Sequence, residues 1–335
     1  MSATVDADRT NLPPVPVISA ETGGAPATLA ALPERLAPVL AAAEQRYSRA
    51  GLRAGDAVSR RWLRRTDNPY LGEIEEVARQ IGRPGAVMLN LSYEWSCTSA
   101  VGPDPSGPGT RLLRTLDWPL DGLGEALIVT WRRGVAGRFL DITWPGYAGV
   151  LSALAPGRFA AVINQPPMTQ RGAGVWLDWA LNRFSVWRGD GLPPHHLLRR
   201  VMETCADYTA AKAMLTETPL CLPAFFTLSG TEAGEGCVIE RDETRAAIAD
   251  APVAAANHWR WLDVEGHPRG YESEARLEMM ETLHADGGSA DWLRPPILNP
   301  DTRLAMGANA ASGRLRLIGI EGERAATAPL DLAAI

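Results

Sequence analysis

Lysine is almost missing from this chain of 335 residues: of 33 basic residues, every one but Lys212 is an arginine. Against 39 acidic residues the net charge is -6, so no basic stripe is available to track a polyanion, and nucleic acid is excluded as an expected partner. The arginine bias, together with 32 glycines, reflects genome composition rather than a site. The cluster Arg60, Arg61, Arg64 and Arg65 reads as a solvated helix face. Long apolar runs are missing too. No stretch reaches the roughly 18 consecutive apolar residues that a membrane-spanning helix needs. MSATVDADRTNLPPVP lacks a basic segment followed by an apolar one, so the expected location is cytoplasmic.

Cysteine is scarce, at Cys97, Cys205, Cys221 and Cys237. Four in this length are too few for a disulfide scaffold, and none has the CxxC or CxxxH spacing of a metal site. That leaves room for a reactive thiol. His195, His196, His258, His267 and His284 show no pattern of partnership with a cysteine, and surface or packing roles are expected for them. What is present is ordinary globular material, 46% hydrophobic and 21% charged, sufficient for a substantial core.

Residues 1–30 are rich in Pro, Ala, Thr and Gly without periodicity and are expected to form a loose arm. Leu36, Val39, Leu40 and Ala43 recur at helical spacing behind Pro33, and Ile74, Val77, Ala78 and Ile81 mark a second helix. Residues 85–95 fit either a strand or a helix opened by Pro84. After Cys97, short apolar runs between Gly and Pro turns predict a meander of strands at 98–101, 112–118, 126–131, 139–144, 149–154 and 159–164. Helices follow at 196–204 and, capped by Asp207, through Ala210, Ala211, Met214 and Leu215. Strands are expected at 224–228, 237–240 and 253–257, a helix at 276–284, and a closing hairpin of 303–306 with 315–320 around Ala311, Ser312 and Gly313. This order, without regular βαβ alternation, predicts an α+β fold. The chain divides into the arm, a helical segment 31–96 and a strand-rich segment 97–335, the last two forming one domain.

Cys97 stands out through its surroundings. Thr98 and Ser99 follow it, and Arg114 and Asp117 lie on what reads as the next strand of a hairpin. A thiol, a guanidinium and a carboxylate then meet, and an adjacent cation favours the thiolate. The competing reading is a small buried hydrophobe.

The stretch NLSYEWSCTSAV followed by RTLDW resembles the cleavage junction of the acid ceramidase and N-acylethanolamine acid amidase family. These are cysteine members of the N-terminal nucleophile (Ntn) hydrolases, related to choloylglycine hydrolases. WPGYAGVLSALAPGRFAAVINQ, METCADYTAAKAML, LPAFFTLSGTEAGEGCVIERD and AANHWRW resemble further segments of that family, and NPYLGEIEEVARQIGRPG resembles its helix before the junction. The likeness runs in order over about residues 65 to 320.

The resemblance implies a four-layer αββα sandwich with two stacked antiparallel sheets, and a precursor cut between Ser96 and Cys97. The new Cys97 amine then serves as base for its own thiol, which removes the need for a histidine. It further implies that Arg114 stabilises the thiolate or binds substrate, that Asp117 holds the new amine, and that Asn257 donates to the oxyanion. Glu203 falls where the family keeps a glutamate beside the nucleophile that assists maturation. Asn164 falls at a site asparagine, with Gln165 and Pro166 in place of the family's usual residues. A second site arginine is supplied by Arg269 or Arg276, with Arg276 the better match. Trp118, Trp144 and Tyr147, with Trp176, Trp179 and Trp187, lie on elements expected to surround the nucleophile; aromatics bury large area, so most read as core, and some, with Trp118, Trp144 and Tyr147 the candidates, as lining of an acyl pocket. The segment 170–192 departs most from the family and is where substrate identity would be decided.

The implied function is cleavage of an N-acyl amide, ceramide-like or N-acylethanolamine-like, through a Cys97 thioester. No metal or organic cofactor is expected. The expected partner is the small-molecule substrate alone, with the cleaved chains staying associated. An acyltransferase of the penicillin-acyltransferase type and a non-catalytic lipid-amide binder on the same fold are the alternatives.

Overall fold

The computed structural model describes residues 12–285 and 292–333. The chain begins with strand β1 (Val17–Ser19) and five helices: α1 (Gly24–Ala31), α2 (Pro33–Tyr47), α3 (Arg49–Arg65), α4 (Leu71–Ile81) and α5 (Ala86–Asn90). Strands β2 (Ser96–Pro103), β3 (Thr110–Asp117), β4 (Ile128–Gly134), β5 (Gly137–Thr143), β6 (Ser152–Ala155), β7 (Phe159–Asn164) and β8 (Met168–Thr169) follow. Helices α6 (Val175–Arg188), α7 (Pro194–Thr204) and α8 (Tyr208–Glu217) lead to β9 (Ala224–Ser229), β10 (Gly236–Arg241), β11 (Ala246–Asp250), β12 (Val253–Ala255) and β13 (Gly266–His267). The chain closes with α9 (Ser273–Ala285), β14 (Thr302–Asn309), β15 (Arg314–Glu321), β16 (Arg324–Ala325) and β17 (Leu330–Ala333).

One sheet runs β1-β4-β5-β6-β7-β9-β10-β11, and the other runs β12-β2-β3-β14-β15-β16 with β17 also on β15. Apart from the parallel β1–β4 pair, the neighbours are antiparallel. Strands β2 and β3 pack on β7 and β9 of the facing sheet. Helices α7 and α8 cover the outer face of the first sheet, and α9 covers the second. The expected α+β αββα sandwich is the fold observed. Because a strand between a second sheet and a helix layer is buried on both faces, β7 reads as FAAVIN without polar alternation before its last residue.

The helices at 33–47 and 71–81 bury the residues whose spacing predicted them. Asp207 caps α8, accepting from the Ala210 amide at 2.8 Å. Residues 85–95 resolve as the short helix α5 and an irregular run to Trp95. The single meander expected after Cys97 is divided: β2 and β3 belong to one sheet and β4 to β7 to the other.

The expected loose arm is corrected for its described part. Val17–Ser19 pairs with Val129–Trp131, and α1 buries Ala25, Thr28 and Leu29 against α4. Strand pairing along β4 supplies the order that periodicity did not announce. Residues 1–11 lie outside the described residues.

Candidate active site

Register places the chemistry. On the β2–β3 ladder Cys97 faces Leu116, Ser99 faces Arg114, and Ser96 faces Asp117. Alternation therefore sends Cys97 and Arg114 to the face between the sheets and Asp117 to the opposite face, under α9. The three expected residues thus lie on the two faces of one strand pair, Cys97 and Arg114 on one and Asp117 on the other.

Between the sheets, Arg114 Nη2 lies 3.1 Å from Cys97 Sγ and donates to the Ile163 carbonyl at 3.0 Å. Arg114 Nη1 donates to the Leu151 carbonyl at 2.6 Å and to the Ser152 hydroxyl. Four acceptors, on β2, on β7 and at the start of β6, thus fix the guanidinium beside the sulfur. Cys97 is 0% exposed. Burial pushes its thiol up, Arg114 pulls it down, and the net direction is up. The sequence expectation of an activated thiolate is corrected for the uncut chain: the cation is in place, but desolvation wins.

Beneath the strand, Arg276 Nη1 donates to the Cys97 carbonyl at 2.8 Å and to Thr98 Oγ1 at 2.7 Å. Its Nη2 donates to Asn257 Oδ1 at 2.8 Å, and Asp117 stands 3.6 Å from Nη1. Asp117 accepts from Asn299 at 3.1 Å and Thr302 at 2.9 Å. Burial nonetheless pushes its carboxyl up, with Arg276 opposing most strongly.

Asn257 stands just past the end of β12, which is shorter than the expected 253–257 strand. Its Oδ1 accepts the Cys97 amide at 3.0 Å, and its Nδ2 donates to the Gln165 carbonyl at 2.7 Å. Two donors on one atom and an acceptor on the other settle the orientation of the amide. In the uncut chain the amide expected to serve an oxyanion is therefore occupied. Ser273 at the start of α9 holds the Asn257 backbone amide at 2.8 Å.

Asn164 ends β7 and ties the sheets together. Its Nδ2 donates to Ser99 Oγ at 3.0 Å and to the Ala255 and Ala256 carbonyls, while its Oδ1 is buried without a partner. Its neighbours Ile163 and Gln165 supply the backbone oxygens that hold Arg114 and Asn257.

A cleft of about 480 Å³ opens at Ser96, walled by Tyr93, Gln165, Trp179, Arg183, Arg269 and Gly270. Gly270 has φ +74, and a Cβ there would come within 2.6 Å of Ser96 Cβ. The 266–272 segment thus lies against the residue that precedes Cys97. Sequence left Arg269 and Arg276 as alternatives for one position; the structure gives Arg276 the peptide and Arg269 the cleft wall.

Two expectations are corrected. Glu203 sits away from Cys97, in a cluster where it pairs with Arg199 at 2.8 Å and accepts from Tyr70 at 3.1 Å. That helix-borne carboxylate follows Arg199 by one turn and is held by the i,i+4 pair, while Arg199 also binds Glu73 at 2.7 Å. Trp118, Trp144 and Tyr147 do not line the cleft. Trp118 stacks tilted on Trp95 at 5.2 Å and edge-to-face on Trp144 at 5.9 Å, which meets Tyr147 edge-to-face at 6.2 Å, and Trp118, Trp144 and Tyr147 pack beside α2 and α5 at a small pocket of about 50 Å³. Large rings at strand ends were claimed by the core. Trp179 does reach the cleft, whereas Trp176 is 86% exposed on the outer side of α6.

Sequence reasoning passed over Asn299 and Thr302, which hold Asp117, and the backbone roles of Ile163 and Gln165. Thr302 pairs with Asp117 across β14 and β3, a relation visible only once the strand order is known. Among the described residues no group of three or more His, Cys, Asp or Glu is arranged to hold a metal ion. Among them, also, no helix is long and apolar enough to cross a membrane.

No protein-family model matches the chain. Among curated proteins it is similar to acid ceramidases. It is 29% identical to that of Bos taurus over 219 residues, 59% of this chain and 53% of the relative. It is 36% identical to that of Homo sapiens over 128 residues, 38% of this chain and 30% of the relative. With that of Balaenoptera acutorostrata scammoni it shares 34% over 200 residues, 53% of this chain and 48% of the relative. The chain spans about half the length, or less, of the curated relatives it matches. Among solved structures, the Caenorhabditis elegans N-acylethanolamine-hydrolyzing acid amidase ortholog superposes with a TM-score of 0.51 at 20% identity, covering 64% of this chain and 93% of that one. The chain is homologous to acid ceramidase over the matched segments and has an Ntn-hydrolase fold.

Proposed function

We propose that this acid ceramidase homologue is a self-processing amidohydrolase that cleaves N-acyl lipid amides through Cys97. The observation that carries the reading is the convergence on the Ser96–Cys97 peptide of Arg114 on sulfur, Asn257 on nitrogen and Arg276 on the following carbonyl.

In maturation, Cys97 Sγ attacks the Ser96 carbonyl carbon, the C–N bond breaks, and the thiol proton passes to the departing nitrogen. Ser96 is left as a thioester on its own neighbour. Water hydrolyses that thioester, giving a Ser96 carboxylate, a free thiol and a free Cys97 amine. The amine has a reference pKa of about 7.7 to 8.0, suited to accept the thiol proton near neutrality.

Turnover repeats the chemistry on a substrate. The amine takes the thiol proton, sulfur adds to the amide carbonyl, and the leaving amine departs with that proton. Water then releases the acid. Arg114 steadies the anionic sulfur, and Asn257 Oδ1 orients the Cys97 nitrogen. Asn257 Nδ2 exchanges the Gln165 carbonyl for the oxyanion, a donor typically worth about 3 kcal/mol of barrier. Asp117 and Arg276 fix the ladder from below.

The test is release of free fatty acid from N-acyl amides by the processed protein, with Cys97→Ala as control. A thiol-alkylating reagent should abolish the release, and hydroxylamine should intercept the acyl-enzyme as a hydroxamate. Release that persists in Cys97→Ala would refute the reading.

A further inference from the structure

The cleft at Ser96 contains a cation with no hydrogen-bond or ion-pair partner among the described residues. Arg46, Arg183 and Arg269 all line it. Arg46 has Glu94 at 3.7 Å, and Glu94 is also bound by the Tyr47 hydroxyl at 2.5 Å. Arg183 lies over the Trp179 ring at 5.6 Å. Arg269 makes neither a hydrogen bond nor an ion pair among the described residues, and its Nε is buried without an acceptor. Burial weakens its hold on its proton more than the fields of Tyr93 and Glu94 strengthen it, and the nearby Arg183 adds repulsion. A guanidinium so placed carries a desolvation cost that a bound anion would offset. Glu94, Glu243 and Asp301 share the cleft, so its bases are matched by acids overall. Recognition here is therefore local to Arg269 rather than a general field.

Position says which part of a substrate it meets. Gly270, the next residue, lies against Ser96. In the maturation proposed above Ser96 is the acyl donor, so the wall touching Ser96 becomes the wall that touches a substrate's acyl group. A planar guanidinium with free terminal nitrogens suits the two oxygens of a carboxylate. We propose that Arg269 binds a carboxylate on the acyl portion of the substrate, selecting amides of acids that bear a second carboxylate. The inference rests on the Cys97 reading for its identification of the acyl side. A carboxylate also arises on Ser96 after cleavage, and the test separates the two sources.

The first arm needs no catalysis. Uncut Cys97→Ala protein is titrated calorimetrically with adipamate, the monoamide of hexanedioic acid, and with neutral hexanamide. Adipamate should bind about ten- to hundredfold more tightly, as expected for a hydrogen bond to a charged group. Adding Arg269→Gln should bring the ratio close to one, and Arg269→Lys should restore part of it. No binding of adipamate, equal affinities, or a preference that survives Arg269→Gln would overturn the proposal.

The second arm compares adipoyl and hexanoyl p-nitroanilides in processed protein. A preference for the adipoyl amide that Arg269→Gln removes supports the substrate as source. No preference in processed protein, despite one in the uncut form, assigns Arg269 to the Ser96 carboxylate and overturns the proposal. If the protein neither cuts itself nor turns over any amide, the Cys97 reading fails while the binding arm still decides the anion site.

Discussion

Arg276 and Cys97 are joined through the backbone: Arg276 Nη1 donates to the Cys97 carbonyl at 2.8 Å from beneath the strand, while the Cys97 side chain points the other way toward Arg114. The nucleophile's peptide is thus gripped on the face opposite its chemistry. Arg276 is 0% exposed and burial works against its charge, so its contacts must offset that cost.

Replacing Arg276 with Lys keeps the charge but loses the fork that spans Cys97, Thr98 and Asn257. The expected outcome is a loss of about 3 kcal/mol in urea unfolding of the uncut chain and slower self-cleavage. Unchanged unfolding and an unchanged cleavage rate would contradict the role given to this contact.

Arg114→Gln removes the strongest influence that lowers the Cys97 thiol, leaving burial to raise it further. The pH midpoint of the Cys97 ¹³Cβ chemical shift should move upward relative to the parent. A midpoint that stays or falls would show that the guanidinium does not act on the sulfur.

Gly270→Ala places a methyl within 2.6 Å of Ser96 Cβ at a backbone φ of +74. Both clash and conformation are unfavourable, so a lowered melting temperature and displaced Ser96 are expected. Self-cleavage, followed by gel band densitometry, should slow markedly. Cleavage at the parental rate would mean that the 266–272 segment does not position Ser96.

Burial pushes Asp141 up to about 7, with Arg132 and Arg199 opposing. Its folded pKa lies above its unfolded value near 4, so its contribution favours folding at low pH and is lost as pH rises from about 4 through 7. Asp141→Asn should remove that loss. Parent stability minus variant stability should therefore fall over the window by up to about 1.4 kcal/mol per pH unit and level off above it. A flat difference, or one that grows with pH, would contradict the assignment.

Much of this was legible in the sequence, and the reason differs by residue. Leu36, Val39, Leu40 and Ala43 announce α2 because periodicity is a local property. Cys97, Arg114 and Asp117 could be placed on one hairpin because their strands are consecutive, and β2 and β3 do pair antiparallel. The faces they occupy needed the register. Asn257 and Arg276 were found by resemblance, since nothing local links residues 160 and 179 positions from Cys97. Glu203 and the Trp118–Tyr147 series were misplaced because helix surface, core and site use the same residue types. Only packing against Arg199 or α2 distinguishes them. The departing pair Gln165 and Pro166 obscured a backbone contribution, which no side-chain motif reports.

The most direct test is the denatured intact mass of the purified chain, followed over time and pH beside Cys97→Ala. The account predicts conversion of the parent into two pieces, residues 1–96 and residues 97–335, with Cys97 as the new terminus, while Cys97→Ala stays whole. A parent that remains uncut at every pH, or a Cys97→Ala chain that is cut at the same bond, would contradict it.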